Sequence, residues 1–172
     1  MKTPTPTLRP LVSSDQALLW EAFYLALWDA PDEPRRPRRI LHKPEIACFA
    51  AGWGSQPDDA GLVAVIDDRP AGVVWSRLLR PPLGGSAFYD KHTPQVGIAV
   101  FPPYRGHHVG ERLFEHHLDE LRQRYRRVSL GVHKRNEVAL AMYLHHGFKP
   151  FAEPDGHLAM VLSLDITSTV AD

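Results

Sequence analysis

The sequence has a single cysteine, Cys48, among 172 residues. One thiol cannot form an intramolecular disulfide or a CxxC pair, so a disulfide framework and dithiol redox chemistry are excluded, and a reducing compartment is favoured. No apolar run approaches the roughly 18 residues that span a bilayer, and the N-terminus lacks the apolar core of a signal peptide. We therefore expect a cytoplasmic protein without a membrane partner.

The sequence also lacks an excess of charge of one sign. Its 20 lysines and arginines balance 20 aspartates and glutamates, which removes the electrostatic argument for a nucleic-acid partner. The signatures GxxxxGK[ST], GxGxxG and HExxH are absent. The ten histidines include three adjacent pairs, His107/His108, His116/His117 and His145/His146. Adjacent helical side chains point about 100° apart, so such pairs do not chelate one ion. We expect neither a nucleic-acid partner nor a metal.

Strand and helix patterns alternate along the chain. Apolar periodicity predicts a short first strand, a helix ending near residue 28, a second helix over residues 40–51 and a hairpin over residues 62–79. A strand then precedes a helix that begins near Gly110, and the pattern repeats as a strand, a helix ending at Gly147 and a hairpin turning at Pro-Asp-Gly. We expect one α/β (α+β mixed) domain over residues 1–172, with a loose tail at residues 165–172.

The stretch YRGHHVGERLFEHHLDELRQRY keeps two glycines where a helix begins, Gly106 and Gly110. Glycine inside a helix costs about 1 kcal/mol relative to alanine, so a compensating reason is expected. A helix N-terminus has unpaired N–H groups and the positive end of a dipole, which together attract anions. A diphosphate could be wrapped by the backbone of Arg105, Gly106, His107, His108, Val109 and Gly110. Ordinary loop chemistry is the alternative reading of the same residues.

Two motifs resemble those of the GCN5-related N-acetyltransferases. The segment IAVFPPYRGHHVG is similar to that family's acetyl-CoA turn: Arg105 and Gly110 match its ends, while His108 occupies the place of its middle glycine. The segment NEVALAMYLHHGF is similar to a second family pattern, with five residues in register, namely Asn136, Ala139, Tyr143, Gly147 and Phe148. Two motifs in the right order are more specific than either one.

The resemblance implies a fold and an activity. The fold would be a mostly antiparallel mixed sheet with a V-shaped splay between two parallel strands, flanked by about four helices. Acetyl-CoA would bind at residues 95–126, and the acceptor mainly at residues 13–60. The activity would be direct acetyl transfer to a primary amine of a small molecule, protein or peptide. A binding module that has lost its chemistry and an enzyme using another acyl-CoA are the alternatives, and the sequence leaves monomer and homodimer open.

The resemblance also implies cofactor contacts and catalytic groups. The pantetheine arm would bond the backbone of Ile98, Ala99 and Val100, and the Val100 N–H would polarise the thioester carbonyl. Tyr143 would protonate the departing thiolate, the alternative being a buried core tyrosine. Asn136 would cap its helix and bond the arm.

The general base is the least defined group. The places of the family's usual glutamates are taken by Gln95 and Gly131, which accept no proton. His133 is a candidate because imidazole titrates near neutral pH, and relayed water is the alternative.

The acceptor side offers a cluster of aromatic and acidic residues. These residues could form a mouth for a cationic amine: Trp28, Asp29, Asp32, Glu33 and Trp53. The alternative is that the tryptophans belong to the core and the carboxylates to a solvated loop. The run RRPRR, residues 35–39, is read as a solvated loop.

Overall fold

A computed structural model describes residues 4–164, so the predicted tail at residues 165–172 lies outside the described residues. The elements, in chain order, are β1 (Thr7–Pro10), α1 (Gln16–Ala26), α2 (Pro44–Ala47), β2 (Ala60–Ile66), β3 (Arg69–Arg77), β4 (Gln95–Val100), α3 (Val109–Arg122), β5 (Arg127–His133), α4 (Glu137–His145), β6 (Lys149–Ala152) and β7 (His157–Ser163). Short 3-10 helices lie at Ser13–Asp15, Arg38–His42 and Pro102–Tyr104.

The seven strands form one sheet in the order β1-β2-β3-β4-β5-β7-β6. All neighbours are antiparallel except β4 and β5, which are parallel and pair at Gln95 and Ser129 alone before they separate. The predicted single α/β domain, with a mostly antiparallel mixed sheet, a splay between two parallel strands and four α-helices, is confirmed.

Apolar side chains cover both faces of the sheet. One buried cluster joins α3 and α4 to the sheet and includes Phe114, Leu118 and Phe148. The other joins α1 to β2, β3 and β4 and includes Phe23 and Trp75. Because both faces are packed, the splay between β4 and β5 is an opening through an otherwise continuous layer.

The predicted helix over residues 40–51 is wrong in its extent. The chain forms the 3-10 helix Arg38–His42 and then the four-residue α2, which begins at Pro44. Proline lacks an N–H and forces the residue before it out of the helical region, and Lys43 is accordingly extended, with φ −70° and ψ 128°. The proline therefore divides what the apolar pattern predicted as one helix.

The segment after α2 is attached to the sheet by a buried ion pair. Arg77 Nε and Nη2 donate to the Asp59 carboxylate at 2.8 and 2.9 Å, and the two side chains are only 3% and 2% exposed. Arg77 Nη1 also donates to the carbonyls of Cys48 and Ala51. Trp53 lies beside this pair and is 4% exposed. Arg77 thus holds the segment that follows α2 against the end of β3.

Candidate active site

A row of backbone groups on β4 faces the splay. The Phe101 N–H donates to Ala71 at the end of β3 at 2.9 Å, and successive peptide groups of a strand point to opposite sides. The peptide groups of Ala99 therefore point to β3, whereas those of Ile98 and Val100 point toward β5. Because β5 pairs with β4 only at Gln95, the peptide groups of Ile98 and Val100 face an opening instead of a strand.

The α3 N-terminus lies directly after this strand. Its N-cap residue, His108, makes no side-chain cap, and the first bond into the helix runs from Arg112 N–H to His108 O at 3.1 Å. The first N–H groups of a helix have no intrahelical acceptor, so the start of α3 offers donors to an anion. Arg105 adds a cation, and its Nε donates to Val100 O at 3.1 Å. These groups and the β4 edge can hold a diphosphate and a chain of amides.

The two glycines of this loop have different structural surroundings. Gly106 has φ +78°, which disfavours any L side chain, although a Cβ there would have open space. Gly110 has no such conformation, but its Cβ would lie 3.3 Å from Val100 Cγ2, where α3 approaches β4. A bound phosphate is therefore not needed to account for either glycine, although both leave the backbone accessible.

His108 adopts the left-handed conformation that the family motif meets with glycine. Its φ is +59°, and its exposed ring lies 2.9 Å (Nδ1 to Oε2) from Glu111. A left-handed non-glycine residue costs roughly 1–2 kcal/mol, so the departure from the motif is accommodated by local strain.

We expect His108→Gly to leave acetyl-CoA affinity unchanged or to tighten it, because glycine adopts this φ without strain. The gain in folding stability should be below about 1 kcal/mol, since glycine also raises the entropy of the unfolded chain. Calorimetric titration and urea unfolding measure the two quantities, with Gly106→Ala as the strained control. A loss of affinity above tenfold in His108→Gly would show instead that the imidazole contacts the ligand.

A cleft of about 430 Å³ adjoins the loop. The chain's first described residues, Pro4 to Pro6, form one wall, and His107, His108 and Arg112 form the other. Sequence reasoning did not identify Arg112 or the N-terminal wall, because neither belongs to a motif and their proximity depends on the β1–β2 pairing.

Tyr143 lies on the α4 face that packs on the core. It is 7% exposed, and its ring centroid is 5.5 Å from Phe114 and 5.9 Å from Phe148. Burial raises the pKa of the Tyr143 phenol above its ordinary value. The phenol is therefore protonated at neutral pH. Asn136 caps α4 as predicted, its Oδ1 accepting the Ala139 N–H at 3.3 Å, which leaves Nδ2 for the arm.

A second cleft, also of about 430 Å³, lies where β5 ends. It is lined by Trp28, Asp29, Glu33, Pro34, Arg36, His133 and His157. Three rings form one wall: the His133 centroid lies 5.0 Å from that of Trp28 and 4.9 Å from that of His157. The loop after α1 thus meets the ends of β5 and β7.

The carboxylates of this cleft are already paired with arginines. Asp29 accepts bonds from the Arg36 N–H, from Arg36 Nε and from Arg35 Nη1 at 3.0, 2.5 and 2.7 Å. Burial alone would raise the pKa of Asp29, but these bonds outweigh it and hold the pKa below its ordinary value. Asp32 and Glu33 pair with Arg135 at 2.7 and 3.7 Å.

The predicted acidic and aromatic mouth is therefore only partly formed. Trp28 lines the cleft, but Trp53 is buried elsewhere, with its Nε1 donating to Leu11 O. The arginine run is largely exposed, as predicted, and its side chains are also paired: Arg35 and Arg36 bind Asp29, and Arg38 pairs with Glu21. The local charge is balanced, a feature that the neutral total charge alone does not reveal.

The two positions where the family carries glutamate supply no base. Gln95 lies at the apex of the splay and is 4% exposed, and its Nε2 donates to Gly84 O. Gly131 lies in β5 and has no side chain. Among residues 4–164, no group of three or more His, Cys, Asp or Glu could hold a metal ion. No helix in the same part of the chain is long and apolar enough to cross a membrane.

An unpaired strand edge that leads to an uncapped helix N-terminus fits the amides and the diphosphate of a coenzyme A thioester, the donor that an acyltransferase uses. The acetyltransferase (GNAT) family model matches residues 18–148, and the chain belongs to that family. This membership confirms the resemblance read from the two motifs. Family members bind acetyl-CoA and an acceptor.

Solved structures show the same fold at low sequence identity. The GNAT domain of S. lividans PAT is 23% identical, with a TM-score of 0.65, covering 94% of this chain and 92% of that one. The PaiA N-acetyltransferase of Thermoplasma acidophilum, in complex with coenzyme A, is 16% identical, with a TM-score of 0.68 and coverage of 93% and 99%. The ribosomal-protein-S18-alanine N-acetyltransferase of Escherichia coli is 17% identical, with a TM-score of 0.64 and coverage of 97% and 99%. Comparison with curated proteins found no sequence match.

Proposed function

We propose that this chain transfers acetyl from acetyl-CoA directly to a primary amine of a small molecule, protein or peptide. The observation that carries the proposal is the opening beside β4, where backbone groups without a strand partner lead to the uncapped N-terminus of α3. That arrangement matches the amides and the diphosphate of coenzyme A.

Each part of the opening has a binding role in this proposal. The backbone N–H groups that begin α3, with Arg105, bind the diphosphate. The peptide groups of Ile98 and Val100 bond the pantetheine arm, and the Val100 N–H polarises the thioester carbonyl. Acetyl-CoA supplies the activated acyl group. The Ala99 side of β4 is occupied by β3, so Ala99 contributes by shaping the strand.

Leaving-group protonation is assigned to Tyr143. Because burial raises the pKa of this phenol, it passes a proton to the thiolate only in concert with recovering one from the acylated nitrogen, which must lose a proton to become a neutral amide. Asn136 holds the first turn of α4 in place and presents Nδ2 to the arm.

The cleft lined by Trp28 and the two histidines is assigned to the acceptor. Its carboxylates are paired with arginines, so the cleft does not attract a cation as an acidic mouth would, and an uncharged or zwitterionic amine fits it better. The S18-alanine enzyme acts on a ribosomal protein, and a peptide N-terminus, whose amine is partly uncharged near neutral pH, is one candidate acceptor. The cytoplasmic location favoured by the single cysteine stays a prediction.

Acetyl-CoA is expected to raise the melting temperature of the protein, whereas adenosine, which lacks the phosphates, is not. Ligand at 100 times its Kd adds about 2.7 kcal/mol to folding stability, a shift that differential scanning fluorimetry resolves. The variant Gly110→Glu should lose this shift, because its carboxylate would lie beside the diphosphate. Gly110→Ala is the matched control, since its Cβ meets only Val100 Cγ2 at 3.3 Å.

Unliganded melts of both variants separate loss of binding from loss of folding. Absence of any shift with saturating acetyl-CoA would overturn the proposed donor. A shift without thiol release across a panel of small amines and peptides would favour a binding module instead. Faster release from another acyl-CoA would retain the enzyme and change the donor.

A further inference from the structure

The two histidines of the acceptor cleft are held in opposite tautomers by backbone groups. His133 Nδ1 lies 3.1 Å from the Arg135 N–H, which can only donate, so Nδ1 is the acceptor and the neutral ring carries its proton on Nε2. His157 Nδ1 lies 3.1 Å from the Asp155 carbonyl oxygen, which can only accept. The proton of the neutral His157 ring is therefore on Nδ1, and its Nε2 carries a lone pair.

The fold places these rings side by side. His133 ends β5, His157 begins β7, and the two residues are register partners. Asp155 and Gly156, in the turn before β7, have φ of +40° and +79°, as the two central residues of a tight hairpin turn require. That turn aims the Asp155 carbonyl at the His157 ring. The tautomer of His157 thus depends on the hairpin turn itself.

We propose that His157 is the general base that deprotonates the acceptor amine, and that His133 is a hydrogen-bond donor to the acceptor. The inference rests on the proposed function of this cleft. His157 Nε2 takes a proton from the ammonium form of the acceptor, the freed lone pair of nitrogen attacks the thioester carbon, and the C–S bond breaks as the thiolate leaves. The proton on His157 passes to solvent, so one proton is released per turnover.

His133 is less suited to this role because of its own hydrogen bond. A proton arriving at His133 would have to enter at Nδ1, which requires breaking the bond from Arg135 N–H. His157 accepts a proton at Nε2 while keeping its bond to Asp155. The same backbone bond that fixes its tautomer also stabilises the resulting imidazolium, since the Nδ1–H remains a donor.

The other charged groups at the cleft do not compete for the proton. On the loop after α1, Asp29 is bound to Arg36, and Glu33 faces Arg135. Carboxylates paired with arginine are poor proton acceptors at neutral pH because the ionised form is favoured. On β5 and β7 the facing titratable groups are the two histidines.

The variants His157→Gln and His133→Gln test the assignment. We expect His157→Gln to lower kcat/KM for the acceptor by about tenfold or more at neutral pH and to remove the acidic limb of the pH profile. His133→Gln keeps a donor, so it should retain that limb and mainly raise KM. Both variants should keep the thermal shift with acetyl-CoA, which shows that the donor site is intact.

A second readout needs no turnover. Nitrogen-15 NMR of the unliganded protein, with imidazole signals assigned by the two variants, reports which ring nitrogen carries the proton. We expect Nδ1–H in His157 and Nε2–H in His133. The reverse tautomers, or an unchanged acidic limb in His157→Gln, would overturn the role of His157.

The proposed function can fail separately. If the wild-type protein binds acetyl-CoA but acetylates no amine, the proposed enzymatic function is wrong, and the base role of His157 is wrong with it. If the wild type acetylates an amine and His157→Gln is equally fast at every pH, only the assignment of His157 falls.

Discussion

Replacing Tyr143 by phenylalanine is expected to lower kcat by about 10²-fold or more while acetyl-CoA affinity changes little. The substitution keeps the ring and its contacts with Phe114 and Phe148 and removes only the hydroxyl. A general acid acts in the transition state, so its loss appears in kcat and not in donor binding. Steady-state thiol release with a productive acceptor measures the change.

The raised pKa of Tyr143 has a consequence for the pH profile. Its phenol is the donor in its protonated form, and burial moves the pKa upward. Ionisation of Tyr143 therefore cannot cause a loss of kcat between neutral pH and the ordinary tyrosine range near 10. An alkaline loss of kcat in that interval, present in the wild type and absent in Tyr143→Phe, would contradict this account.

Tyr125→Phe is the matched control. Tyr125 follows the far end of α3, and its hydroxyl donates to Asp58 at 3.3 Å, so this variant also removes one partly buried phenolic hydroxyl. It should leave kcat unchanged. Equal kcat in the wild type and Tyr143→Phe, under conditions where chemistry limits the rate, would return Tyr143 to a purely structural role and leave leaving-group protonation to water.

Arg77→Met is expected to destabilise the protein by about 3–5 kcal/mol, because it leaves the buried Asp59 carboxylate without its partner. The carbonyls of Cys48 and Ala51 also lose their donor. A domain is typically stable by only about 5–15 kcal/mol, so a large part of the folding free energy is at risk. Urea unfolding monitored by tryptophan fluorescence measures the loss.

Two further variants show whether burial is the cause. The double variant Arg77→Met/Asp59→Leu removes both charges and should be less destabilised than Arg77→Met alone. Arg38→Met breaks the exposed pair with Glu21, whose side chains are about half exposed, and should cost less than about 1 kcal/mol. A loss from Arg77→Met no larger than that from Arg38→Met would refute the structural role of the buried pair.

Local signals were sufficient for most of the elements. Two apolar runs around Asp-Asp-Arg-Pro predicted the β2–β3 hairpin, and Pro-Asp-Gly predicted the turn between β6 and β7. These patterns are read within a few residues, and the structure confirms them. The prediction of one helix over residues 40–51 was wrong because it gave more weight to apolar spacing than to Pro44. Proline lacks the N–H that a continuous helix needs, whatever the hydrophobicity of its neighbours.

The proposed donor site was more predictable than the proposed acceptor cleft for a physical reason. A loop that begins a helix is one continuous stretch, so Arg105, Gly106 and Gly110 can be read together from the chain. The cleft proposed for the acceptor joins the loop after α1, the end of β5 and the start of β7. The pairing of β5 with β7 would have been needed to notice that His133 and His157 are neighbours.

The sequence by itself determined the order of strands and helices, the loop that begins α3 and the family, since each depends on neighbouring residues or on a motif of fixed spacing. The tertiary structure alone decided which backbone atoms are unpaired and how charges are partnered. The opening at β4 exists because β5 diverges after one residue pair, and the Glu33 carboxylate near Trp28 is paired because Arg135 reaches it across the fold. The pairing of β5 with β7 likewise decides that the rings of His133 and His157 lie side by side. Such properties depend on distances between atoms remote in the chain, and these distances are set only when the sheet has formed.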